Sequence, residues 1–200
     1  MKKGKLEVIC GSMFSGKTEE LIRRLRRAEY ANKNVLTIKH QIDDRGSYSC
    51  ILSHNGEQRE ACPITSCEEG MKALARLVNE DVEVVGIDEI QFFPKEIVLI
   101  LMSLVERGKR VLVAGLDMDF RAEPFGVVPT LLALADEVLK LRAICVVCGK
   151  DANFTQRLVN GEPARYEDDT ILVGGKECYE PRCRDCYRIK RLVPQELSIN

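Results

Sequence analysis

The sequence predicts an α/β protein: a mostly parallel sheet with helices on both faces, plus a small metal-stapled lobe. Three observations carry that expectation. Short apolar, β-rich runs recur at residues 6–10, 35–38, 82–87, 111–114 and 137–141. Helical periods fall between several of them, marked by Leu21, Ile22, Leu25 and Ala28, by Met71, Leu74, Leu77 and Val78, and by Ile97, Ile100, Leu101 and Leu104. Five of the nine cysteines then crowd into the stretch from Cys145 to Lys190, where helical period is lost. Short buried strands alternating with helices are the pattern of parallel sheets, whose crossover connections cover both faces.

The change of character near residue 143 divides the chain into a main sheet domain over 1–143, a lobe over 144–191 and a tail over 192–200. Residues 43–66 interrupt the alternation; they are polar and turn-rich and read as a long excursion from the sheet. With 200 residues, 45% hydrophobic and 30% charged, the chain has the make-up of a globular protein with one full domain and an appendage. Its net charge of −1 gives no basic field for a nucleic-acid or membrane partner. The apolar run near Met1 is too short for a signal peptide, and no stretch approaches the roughly 20 apolar residues of a bilayer span. The expected location is therefore the cytoplasm, where thiols stay reduced and nine cysteines need an explanation other than disulfides.

The run at 6–10 leads straight into Gly11, Ser12, Met13, Phe14, Ser15, Gly16, Lys17 and Thr18, and a helical stripe follows at once. This is the G-x-x-x-x-G-K-[ST] phosphate loop, or P-loop, in its strand–loop–helix setting. Its glycines let backbone N–H groups close round a phosphate at a helix N-terminus, where the partial charge is positive. Lys17 is placed to reach the β- and γ-phosphates of ATP, and the Thr18 hydroxyl to ligate Mg²⁺. A chance glycine-rich turn would lack these flanks. The second half of a nucleotide site is the apolar run ending in Asp88 and Glu89, with Asp88 on Mg²⁺ directly or through water and Glu89 aimed at a nucleophile's proton. Alone, such a carboxylate pair is a common turn; downstream of a phosphate loop it gains weight. Arg23, Arg24, Arg26 and Arg27 read as a solvated helix face.

Cys145 and Cys148, then Cys183 and Cys186, form two C-x-x-C pairs 34 residues apart. Each pair supplies one edge of a tetrahedral zinc site, and two pairs complete a Cys₄ set. The only histidines, His40 and His54, lie far upstream. A redox pair would be single and would open a helix after a strand. A closed Cys₄ site has no open position, so the zinc is expected to be structural and to pin the ends of a functional loop. Cys178 lacks this spacing and reads as a free thiol, and Cys10 reads as core.

Taken in order along nearly the whole chain, the loop Gly11–Thr18, the run Asp88, Glu89, Ile90, Gln91, Phe92, Phe93, the segment 115–120 with Pro124, Phe125 and Gly126, and the paired cysteines around 173–179 resemble the cytosolic, zinc-containing (type II) thymidine kinases. The resemblance implies transfer of the ATP γ-phosphoryl group to the 5′-hydroxyl of thymidine, with Glu89 as general base. It implies that Asp43, Asp44, Arg45, Asp88, Glu89, Ile90 and Gln91 join the loop in contacting ATP and magnesium. It places Phe120 against the thymine ring, has Thr170, Ile171, Leu172, Val173 and Gly174 read the base edge through main-chain groups, and has Tyr179 close the loop, with Arg157 nearby. A homotetramer and feedback by dTTP are implied as well. Ile90 departs from the small residue frequent in the family.

Two other readings stand beside it. A motor- or helicase-type P-loop ATPase would use the same carboxylates on water, but such proteins carry larger accessory regions. A zinc-ribbon nucleic-acid-binding module would use Arg182, Arg184, Arg188, Lys190 and Arg191, yet Glu177, Glu180 and Asp185 dilute that cluster and the nucleotide site would have no use.

Overall fold

A computed structural model describes residues 3–42, 49–53, 55–170 and 179–190. Strand β1 (Lys5–Gly11) leads through the phosphate loop into helix α1 (Lys17–Tyr30) and then β2 (Val35–His40). A hairpin of β3 (Cys50–Leu52) and β4 (Gln58–Glu60) precedes β5 (Cys62–Ile64) and α2 (Glu68–Leu77). The chain continues through β6 (Val84–Ile87), a 3-10 turn at Ile90–Phe92, α3 (Ile97–Glu106), β7 (Arg110–Gly115), α4 (Val128–Leu134) and β8 (Glu137–Leu141). Six of these strands make one parallel sheet in the order β5-β2-β6-β7-β1-β8.

The strands read as unbroken apolar runs because both faces of the sheet are covered. Leu6, Val8 and Cys10 of β1 face the side packed by Leu74 of α2, Leu101 of α3 and Leu131 of α4. Ile9 faces the other way, against Leu21, Ile22, Leu25 and Ala28 of α1. Burial pushes the Cys10 thiol up to about 11, which leaves it as inert core.

All five expected strands are in the sheet, and the three helical stripes are helices. The excursion at 43–66 needs correction, because it contains the hairpin and the edge strand β5. That strand escaped notice because it is three residues long and carries Pro63. Proline cannot donate to a ladder, so it is tolerated only at an edge, where β5 lies beside β2 alone. Helix α4 was also missed; seven residues are too few to display a period.

The arginine face also needs correction at one position. Arg24 is not solvated: its Nη1 donates to Glu7 Oε2 at 2.5 Å and to Glu137 Oε1 at 2.8 Å, while Nε meets Glu20 at 2.7 Å. Arg110 donates to Glu7 from Nε at 2.7 Å. This cluster fastens α1 to β1, β7 and β8. Burial pushes the Glu7 carboxyl upward, but the hydrogen bonds from Arg110 and Arg24 outweigh it and hold it below the usual range.

Beyond β8 the lobe is built from β9 (Ala143–Ile144), β10 (Asp151–Ala152), β11 (Phe154–Val159), β12 (Glu162–Pro163) and β13 (Tyr179–Arg182). β9 pairs with β10, and β11 lies between β12 and β13, all antiparallel. A core of Ala143, Cys145, Ala152 and Cys183 is too small to hold such a lobe by burial alone, and Phe14 and Cys186 pack against it. Stacked rings of Phe154 and Tyr187, 4.9 Å apart, extend it.

Glu7 and Glu20 make the fold acid-sensitive. Their carboxyls lie below the ordinary value in the folded chain, Glu20 at about 2, with the Arg23 hydrogen bond as the main cause. Their contribution is complete above the unfolded-state value of about 4.3 and fades as pH falls towards 2. Thermal melting followed from pH 7 to pH 2.5 should show a decline beginning below about pH 5. Glu7→Gln, which takes the carboxylate from Arg110 and one of three from Arg24, should cost about 3 kcal/mol at pH 7 and flatten that decline.

Candidate active site

In an open parallel sheet, ligands sit beyond the carboxyl ends of the strands, and the expected residues gather there. β1 ends at Gly11, whose φ of +143° and lack of Cβ are both required, since a Cβ would stand 2.3 Å from the Leu141 carbonyl oxygen. The loop then turns through Phe14 (φ +64°) and Gly16 (φ +85°) into α1. Lys17 is buried, and its Nζ donates to the Ser12 carbonyl at 2.8 Å; Ser15 Oγ donates to the same oxygen at 2.8 Å. The ammonium is thereby held inside its own loop. Glu19 and Glu20 occupy the first turn of α1 and offset its dipole.

The second half of the site converges on the first. β6 lies two strands from β1, with β7 between them, and ends one residue before Asp88. Asp88 is buried, and its Oδ2 accepts the Thr18 hydroxyl at 2.9 Å. Its Oδ1 accepts the Glu89 N–H at 3.0 Å. Two hard oxygens 2.9 Å apart match one edge of a magnesium octahedron, whose bonds of about 2.1 Å give edges of about 3 Å. Thr18 and Asp88 therefore fit the ion assigned to them.

Glu89 is buried with φ +53°. Its Oε2 accepts Gln91 Nε2 at 2.5 Å, and Gln91 Oε1 accepts the Leu116 N–H at 3.0 Å. Gln91 thus uses its side chain to aim Glu89. Ile90 turns its side chain into the core. Its methyl occupies space that Gly115 leaves open, where a Cβ would stand 2.7 Å from Ile90 Cγ2 and 2.5 Å from Gln91 Oε1. Glycine at the end of β7 accommodates the bulk at position 90.

His40, at the end of β2, steadies this turn from the other side. The Ile42 N–H donates to its Nδ1 at 3.2 Å, so the hydrogen belongs on Nε2, 2.6 Å from Ser66 Oγ. Ser66 in turn donates to the Phe92 carbonyl at 2.9 Å. The imidazole meets Phe93 edge-on at 4.9 Å. Nothing in the sequence marked His40, because apart from Ile42 the partners described for it are 26 and more residues away.

The lobe touches the phosphate loop directly. Ser12 Oγ donates to the Ala152 carbonyl at 3.2 Å, the Met13 N–H donates to Thr155 Oγ1 at 3.0 Å, and Phe14 packs on the cysteine core. Phe120 is buried, with the Arg121 and Arg157 guanidinium carbons 4.7 and 5.1 Å from its ring centre. Arg157 donates from Nη1 to the Asp169 carbonyl, while its Nε is buried without a hydrogen-bond partner. Thr170 and Tyr179 border the same region, with Tyr179 opposite Arg157 in the β11–β13 ladder. Asp43, Asp44, Arg45, Ile171, Leu172, Val173, Gly174 and Cys178 lie outside the described residues.

Cys145, Cys148, Cys183 and Cys186 bring their sulfurs within 4.8 Å of one another, with Cys148 and Cys183 at 3.5 Å. Zinc–sulfur bonds of about 2.3 Å give a tetrahedral edge of about 3.8 Å, so the four thiols fit a zinc ion. Burial would raise the Cys145 thiol, but backbone N–H groups of Cys183, Val147 and Cys148 outweigh it and bring it down to about 6. The Cys183 sulfur pushes Cys186 up to about 12. Four crowded thiols ionise together only when a cation offsets them.

A protein-family model described as thymidine kinase matches residues 4–187. The chain belongs to the thymidine kinase family. One curated relative, the thymidine kinase of Coprothermobacter proteolyticus, is 58% identical over 180 residues, covering 90% of this chain and 88% of the relative. Family membership makes the chain an ATP-dependent kinase acting on thymidine. The thymidine kinase match spans the phosphate loop, Asp88–Glu89 and all four cysteines, so both halves of the molecule belong to one enzyme.

If the four cysteines hold zinc, metal analysis should find about one ion per chain, and Cys183→Ser should lose it. Because Phe14 of the phosphate loop rests on the cysteine core, that loss should raise the KM for ATP as well as for thymidine. Calorimetry should show a lower melting point that added zinc does not restore.

Proposed function

We propose that this thymidine kinase moves the γ-phosphoryl group of ATP to the 5′-hydroxyl of thymidine, with Glu89 as general base and the 11–18 loop cradling the phosphates. The observation that carries this is the 2.9 Å contact between Thr18 and Asp88, with Glu89 next in the chain and held by Gln91. Phosphoryl transfer asks the protein mainly for positioning and charge neutralisation. Backbone N–H groups of residues 11–16 and the α1 N-terminus would face the β- and γ-phosphates, with Lys17 swinging from the Ser12 carbonyl to meet them. Thr18 and Asp88 would hold magnesium, which neutralises charge on the phosphate oxygens. Glu89 would take the 5′-hydroxyl proton as the new phosphorus–oxygen bond forms.

The thymine ring would rest on Phe120, beside Thr170, Tyr179 and the 171–174 segment. Main-chain carbonyls there would accept the thymine N3–H, which cytosine lacks, and a buried polar group left unpaired costs about 1–3 kcal/mol. The orphan Nε of Arg157 belongs to the guanidinium stacked on Phe120 and would suit a substrate oxygen. Asp43, Asp44 and Arg45 are assigned to the ATP side by resemblance, as are Ile90 and Gln91; for these two the contact would come from the backbone, since their side chains are otherwise engaged.

One structural zinc would close the lobe, and residues 1–143 and 144–191 would work as two parts of one unit, with 192–200 as a tail. Feedback by dTTP is supported by the direct contact of the base-side lobe with the phosphate loop, which would let one molecule span both. Homotetramer formation is supported by exposed Leu99 on α3 and Val138 on edge strand β8. A cytoplasmic location is supported by the unpaired thiols; among the described residues no helix is long and apolar enough to cross a membrane.

Glu89→Gln keeps shape and hydrogen-bonding capacity but cannot take a proton. Thymidine-dependent ADP formation should fall by roughly 10²–10⁴-fold while ATP binding, measured by calorimetry, survives. Near-normal turnover would remove Glu89 from the role of base.

A further inference from the structure

Arg121 was not marked by any motif, and its side chain is only 15% exposed. Its guanidinium carbon lies 4.7 Å from the centre of the Phe120 ring and 5.6 Å from that of Tyr166. Every nitrogen is committed. Nε donates to the Tyr166 carbonyl at 2.5 Å, Nη2 to the Asp168 carbonyl at 2.6 Å, and Nη1 to Thr170 Oγ1 at 2.5 Å and Asp119 Oδ2 at 3.2 Å. Asp119 is itself fixed, since it also accepts the backbone N–H groups of Arg121 and Glu123.

Two carbonyls and a hydroxyl in five consecutive residues are thus gathered by one planar fork. Residues 166–170 have no helix or strand ladder to fix them; besides Arg121 they are held by the turn Asp168–Arg165, the Arg165 N–H on Asp168 Oδ2, the Tyr166 contacts with Lys190 and Glu123, and Arg157 on the Asp169 carbonyl. No regular structure sets their path, so a planar cation with five N–H groups joins three of the five residues at once. Lysine would keep the charge but offers one nitrogen for four acceptors.

We propose that Arg121 is a positioning residue for thymidine: it seats Thr170 at a set distance from the Phe120 ring, so that the nucleoside meets a preformed edge rather than a loose turn. The proposal rests on the assignment of Phe120 and Thr170 to the thymidine side. Among the contacts described Arg121 does not touch the phosphate loop, so its effect is expected to fall on one substrate.

Steady-state kinetics on the full-length, zinc-loaded enzyme test this. Arg121→Gln should raise the thymidine KM about tenfold or more, as expected for losing several charge-assisted hydrogen bonds, while the ATP KM changes less than twofold. Arg121→Lys should recover only part of the loss. Because Arg121 acts through Thr170, adding Thr170→Val to Arg121→Gln should raise the thymidine KM by less than the product of the two single effects. Hydrogen exchange at 166–170 should quicken in Arg121→Gln, with the amides of β1 unchanged. A thymidine KM within threefold of the parent's, or equal rises for thymidine and ATP, overturns the proposal. Should Arg121→Gln not fold, the lysine variant is read by the same limits. Phe120→Leu separates the two levels: if it raises the thymidine KM and Arg121→Gln does not, only the positioning role fails. If neither raises it, the assignment of the base site fails.

Discussion

The hydrogen bond from the Thr18 hydroxyl to the Asp88 carboxylate organises the rest of the site. It joins the first turn of α1 to the residue just beyond β6, and β7 runs between the two strands concerned. For those oxygens to meet, β1, β7 and β6 must end at one level, and their parallel register does this: Ile9 lies opposite Ala114, and Val85 opposite Val111. The sheet can be this regular only because both of its faces are buried by helices. Covering the faces leaves the carboxyl ends as the place where polar groups can gather.

Around that contact the structure is layered by distance from the chemistry. Gln91 aims Glu89, Gly115 makes room for Ile90 and Gln91, and His40 with Ser66 braces Phe92. The lobe adds a second brace, since Ser12, Met13 and Phe14 all lean on it. The cysteine cluster therefore supports the phosphate loop as well as the far ends of its own segment. That link explains why one chain needs both a P-loop sheet and a four-cysteine appendage.

Much of this was legible in the sequence because it is encoded locally. The phosphate loop needs its glycines in order, a buried parallel strand needs a continuous apolar run, and a Cys₄ site needs two short spacings. The parts that were not legible depend on partners far along the chain. Arg24 looked like one more surface arginine until the fold brought Glu7 and Glu137 to it. Arg121 looks like any polar residue after an aromatic one, and three of its four acceptors lie 45 to 49 residues further on. Strand β5 was hidden by its brevity and its proline, and is a strand only because β2 offers it a free edge.

The backbone of Glu89, at φ +53°, has a consequence for how this chain can change. That region is comfortable for glycine and tolerable for asparagine, but unfavourable for glutamate. Selection for heat resistance alone would therefore tend to replace the carboxylate we propose as the general base, and the replacements it prefers have no base to offer. Durability and turnover pull in opposite directions at this residue, so any lineage that hardens this protein must find its gains elsewhere in the chain.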